Sequence, residues 1–125
     1  MEVIAFDSAD FRPITAYGSR GAGVMRLARS GDDLSVVAIT LEPGGVLGRH
    51  PATADQLFVV IAGSGLVSGT DAQPEPIAAG SAALWSAGEL HETRAGPTGL
   101  LAVVIEGALA LATAHQDAST TPPAR

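Results

Sequence analysis

The sequence predicts an all-β domain of the sandwich or barrel type, and three observations carry that prediction. Apolar runs are short and rich in Val, Ile and Leu; Gly, Pro, Asp or Ser interrupts them about every ten residues; and several runs alternate apolar with polar side chains. The length of 125 residues fits one domain, and a hydrophobic content of 46% supplies a core without disulfide staples. Aromatic residues are only 4%, so that core must be built mainly from Val, Leu, Ile and Ala.

The elements follow in order. Residues 24–29 alternate Val24, Arg26 and Ala28 against Met25, Leu27 and Arg29, and read as a strand. Residues 18–23, Gly-Ser-Arg-Gly-Ala-Gly, look like a phosphate-cradling loop. A strand follows them rather than a helix, and no Lys-Ser or Lys-Thr closes them, so they read as a flexible lead-in. Residues 34–41 form the next strand, stopped by Glu42-Pro43-Gly44-Gly45. Residues 57–62, the turn Gly63-Ser64-Gly65 and residues 66–70 read as a hairpin, with Ser64 and Ser68 as turn chemistry rather than nucleophiles. Residues 81–85, 90–95 and 99–106 supply three more strands. Residues 108–114 suit a last strand or a short helix. The domain is expected to span 1–115, with a solvated His115, and the polar residues 116–125 to form a loosely held tail.

Charge narrows the partners. Seven Lys and Arg stand against 13 Asp and Glu, for a formal net charge of −6. No basic patch is visible, which argues against nucleic acid and against an anionic membrane surface. The absence of cysteine removes thiol nucleophiles, disulfides and zinc–cysteine sites. Residues 1–7 lack both a cationic start and a long apolar run, so a cytoplasmic protein is expected.

Two segments select among the β folds. In the first, Gly44, His50, Gln56 and Gly63 are spaced as Gly, five residues, His, five residues, Gln, six residues, Gly. In the second, Gly80 is followed by Ser86, Gly88 and His91. Here the chain resembles the cupin family, whose two motifs carry glycines, histidines and a glutamate at these spacings. The resemblance covers residues 34–107 and implies a single-domain jelly-roll β-barrel with a pocket inside. The departures are informative: Ala52 stands at the motif's second His, Gln56 at its Glu, and Ser86 at its Pro.

Period-two alternation places Gln56, Phe58 and Val60 on one strand face, and His91 with Thr93 on one face, while Glu92 and Arg94 point the other way. The resemblance makes those faces the barrel interior. His50, Gln56 and His91 are then the candidate metal ligands, with one divalent Zn, Fe, Ni, Cu or Mn ion as the implied cofactor. His50 and His91 are the candidate catalytic groups, and Gln56, Phe58, Trp85 and Thr93 the candidate pocket lining. Asp55 points away and reaches the site only through a bulge. Arg49 faces outward, and Arg12 and Arg94 read as solvated.

Three functions remain open on these residues. One is a metal-dependent enzyme of dioxygenase, isomerase or lyase type acting on a small organic molecule. The second is a metal-free pocket, either a binding module or an isomerase-like catalyst, in which the same three side chains hydrogen-bond a ligand or move a proton. The third is a scaffold. The resemblance also implies a homodimer, with outward Leu57, Val59 and Ile61 available for packing.

Overall fold

The computed structural model describes residues 1–112. Among these, regular structure is almost entirely strand: β1 (Arg12–Pro13), β2 (Arg20–Ser30), β3 (Leu34–Pro51), β4 (Asp55–Ser68), β5 (Glu75–Ala78), β6 (Ala82–Trp85) and β7 (Leu90–Gly107). Two short 3-10 turns, Ser8–Asp10 and Ala16–Gly18, complete the regular elements. The strands pair antiparallel in the order β1-β2-β3-β7-β4-β5, with β6 on the free side of β4. No helix of the described residues is long and apolar enough to cross a membrane.

Several expected chain breaks are bends instead. Glu42–Gly45 does not stop a strand: β3 continues to Pro51, and its register against β7 slips between Leu41 and Val46. Gly63-Ser64-Gly65 is not a hairpin turn: β4 runs through it, slipping against β7 at Val60/Ala62 and Gly63/Gly65. The two expected strands 90–95 and 99–106 are one strand, β7. Gly44, Gly63 and Gly99 explain all three, with φ of 71°, 79° and 78°. A left-handed glycine opposite an irregular register kinks a continuous strand, where sequence alone reads the same residue as a reversal. Ser64 and Ser68 are therefore strand residues. The expected lead-in at residues 18–23 is also mostly strand, because β2 starts at Arg20 and pairs Ala22 with Leu41. Residues 108–112 are neither strand nor helix. His115, the tail at 116–125 and the end of the 1–115 domain lie outside the described residues.

The bends let β3, β4 and β7 each pass through both halves of one rolled sheet. Cross-strand partners share a face, so the register reads out the interior in rows. One row is Trp85–Gln56–Glu106, the next is Ala83–Phe58–Val104–Val37, and the next is Val60–Ala102–Ile39. Phe58, Val60, Ala102 and Val104 are fully buried. Leu41, Val67, Ile77, Trp85 and Leu100 join them in one apolar cluster. Burying a side chain such as Phe58 contributes about 1.5–3 kcal/mol, and it is this face that fixes the register of β4.

Candidate functional site

His50 on β3 and His91 on β7 are register partners, so both rings leave the same face of the sheet. Their centroids are 4.3 Å apart with the planes inclined at 51°. Each ring is anchored in the same way. His50 Nδ1 lies 2.6 Å from the Gly48 carbonyl, and His91 Nδ1 lies 3.2 Å from the Glu89 carbonyl, both two residues upstream. A carbonyl only accepts, so Nδ1–H is the donor in each pair. In the neutral rings this leaves each Nε2 as a free lone pair. Burial is the main cause holding the His91 pKa below its ordinary value of 6.5. The neighbouring His50 acts in the same direction, and the Glu89 carbonyl opposes it. Burial therefore favours the neutral form of His91.

The two histidines sit in an unbroken run of rings. Tyr17 stacks on His50 at 4.6 Å and 10°, and the Trp85 ring lies 4.5 Å from His91. Phe58 meets Trp85 edge-on at 5.6 Å. Tyr17 belongs to the 3-10 turn Ala16–Gly18 and holds a left-handed backbone, φ 60° and ψ 29°. A bulky residue costs about 1–3 kcal/mol there. The turn is seated by Ser19, whose Oγ accepts the Gly48 N–H at 2.9 Å. It also needs Gly48 itself, since a Cβ at that position would run into the Tyr17 carbonyl.

The structure brings all six residues expected at the site, His50, Gln56, Phe58, Trp85, His91 and Thr93, to the wall of one cavity of about 200 Å³. Thr93 is 1% exposed and its hydroxyl has no hydrogen-bond partner. A buried, unpaired hydroxyl is costly and marks a place where a ligand or water completes the structure. Glu92 and Arg94 point the other way, as expected, and pair with each other there at 3.0 Å. Arg49 turns outward, donating to the Gly69 carbonyl at 2.9 Å and to Ser68 Oγ at 3.0 Å.

Eight wall residues escaped the sequence reading: the apolar Ile14, Val24, Val37, Ile39, Leu47 and Val104, and the polar-tipped Tyr17 and Glu106. Glu106 was legible. It continues the inward alternation Leu100, Ala102, Val104 and is the register partner of Gln56, yet it reads first as the residue that ends an apolar run. Tyr17 carried no signal, because only tertiary packing brings its turn to His50.

The fit of a divalent ion can be judged from the donors. His50 and His91 offer two Nε2 atoms, and the Gln56 amide is neutral. Ala52, buried at 3% exposure, puts a methyl where the motif has its second His. Asp55 is committed elsewhere: Oδ1 accepts from Ala87 N–H at 3.0 Å and Oδ2 from Leu109 N–H at 3.2 Å. Among the described residues no three His, Cys, Asp or Glu side chains converge as a metal site. Glu106 is the one carboxylate on the same wall, but it does not converge with the two histidines. Two imidazoles and a neutral amide are too few strong donors, so these residues do not fit a resident divalent ion.

No protein-family model matches the chain, and no curated protein matches it. Solved structures do. KdgF from Halomonas sp. aligns with a TM-score of 0.66 at 19% identity, over 86% of this chain and 96% of its own. An RmlC-like cupin from Shewanella frigidimarina gives 0.69 at 18% identity, over 87% and 93%. A predicted oxalate decarboxylase from Thermotoga maritima gives 0.70 at 20% identity, over 85% and 100%. The chain has the cupin fold.

Proposed function

We propose that this protein binds a small organic molecule in the cavity walled by His50, Gln56 and His91, and that it does so without a metal. The observation that carries this reading is the shared tautomer of the two histidines. Each Nδ1–H is fixed on a backbone carbonyl, which leaves two Nε2 acceptors beside the unpaired Thr93 hydroxyl. Neutral His91 is suited to accept a proton from a bound ligand near pH 7, the step that an isomerase-like reaction requires. The cupin fold of the Halomonas, Shewanella and Thermotoga proteins supports a ligand inside the barrel.

The test uses Trp85, the only tryptophan, which lines the cavity. Small-molecule ligands should shift its emission, and His50→Ala should abolish the shift while the β-sheet circular dichroism is retained. Elemental analysis of untagged protein should find no stoichiometric metal, and divalent ions should leave Tm unchanged. One metal per chain would overturn the metal-free reading and restore a metal-dependent enzyme.

We also propose a homodimer, supported by the outer face of the sheet. Leu84–Leu57–Ile105–Val36 and Ala82–Val59–Val103–Ala38 form two apolar rows across β6, β4, β7 and β3. Ile61 beside them is 53% exposed. An apolar face of this extent suits a second copy of the chain. Sedimentation should show a dimer that Ile61→Glu weakens, and a purely monomeric wild type would remove the proposal.

A further inference from the structure

The charge and donor balance of the cavity wall narrows the ligand class. Among the described residues, no Lys or Arg lines the cavity, and Glu106 is its one acidic side chain. The cation adjacent in sequence to His50, Arg49, is held outside by Gly69 and Ser68. Hydrogen-bonding groups of both kinds line it. The two imidazole Nε2 atoms and the Glu106 carboxylate only accept while the rings are neutral, the Trp85 indole N–H only donates, and Thr93, Gln56 and Tyr17 do both. The rest of the wall is apolar or aromatic, including Val37, Leu47, Phe58 and Trp85. A cavity of about 200 Å³ is slightly larger than the ~150 Å³ that accommodates benzene, so it holds one ring and its substituents.

Resting on the binding reading above, we infer that the ligand is a single-ring molecule that donates hydrogen bonds through hydroxyl or amine groups, and that Glu106 excludes carboxylates. A carboxylate would bring a negative charge to face Glu106. No Lys or Arg on the wall would offset that charge in a partly desolvated site. A phenol or an ammonium group meets the opposite situation. The specificity comes as much from what the wall repels as from what it holds.

Phenol, benzylamine and benzoate share a ring and differ in charge, so they isolate this effect. Titrations followed by Trp85 emission and by calorimetry should show phenol and benzylamine binding, with benzoate at least about tenfold weaker. Glu106→Gln keeps the side-chain shape and removes the charge. It should bring benzoate to within about threefold of phenol, with Tm and circular dichroism reporting an intact fold. Benzoate binding as tightly as phenol to the wild type would overturn the inference and leave the pocket reading standing. Discrimination that survives in Glu106→Gln would overturn Glu106 as its source. Failure of all three probes to perturb Trp85 would overturn the pocket reading and the inference with it.

Discussion

Tyr17 lies flat on His50, its ring 4.6 Å away and inclined by only 10°, from a backbone position that tyrosine rarely adopts. The residue is 61% exposed, so the strain is not offset by burial in the core. It places a ring at the cavity mouth. Tyr17→Ala should change stability by less than about 1 kcal/mol, because little buried surface is lost. Ligand dissociation should accelerate by about tenfold, read by stopped-flow quenching of Trp85. Gly48→Ala should be worse for the fold, by more than about 2 kcal/mol in urea denaturation, because the added methyl meets the Tyr17 carbonyl rather than a movable side chain.

Thr93→Val tests the unpaired hydroxyl. Valine keeps the shape and removes a polar group that has no partner. The ligand-free protein should gain about 1 kcal/mol in chemical denaturation, and ligand affinity should fall. Loss of stability would mean that the hydroxyl is already satisfied in solution.

The His91 environment predicts a pH dependence with a definite sign. Burial holds its folded pKa below the ordinary 6.5, so the unfolded chain takes up a proton more readily than the folded one. Stability is intact above pH 6.5. It is lost as pH falls through the folded value, and the loss should shrink in His91→Gln. Asp55 adds a second, separate window. Its carboxylate is held below 3.8 by the N–H groups of Ala87 and Leu109, so its contribution is present above that value and lost in stronger acid. Urea midpoints measured from pH 8 down to about pH 2 should resolve both windows.

Phe58→Ala removes a fully buried ring that supports Trp85 edge-on. A loss of about 3–5 kcal/mol is expected in denaturant titration, together with a shift in the Trp85 emission of the native protein.

Much of this site was legible in the chain, and the limits have physical causes. His50 and His91 stand 41 positions apart (91 − 50), yet motif spacing brought them together correctly. Simple alternation put Gln56 with Phe58 on one strand face and Thr93 with His91 on another, the motif resemblance turned those faces inward, and all four are buried. Strand ends are less legible, since Gly44, Gly63 and Gly99 look alike in sequence whether a chain reverses or merely bends. Which of these occurs depends on strands that pair from elsewhere. Glu106 obeyed the alternation, but its charge reads locally as a terminator. Tyr17 lies outside any motif, on a turn whose position is set by Ser19 and Gly48.

Because β3, β4 and β7 each thread through both halves, the barrel has no plane along which it could part like a clam. Separating the halves would mean tearing three ladders at once. A molecule bound as proposed above would therefore come and go through the rim. There, the turn that carries Tyr17 is held to β3 by its ring stack on His50 and by the Ser19 hydroxyl on the Gly48 N–H.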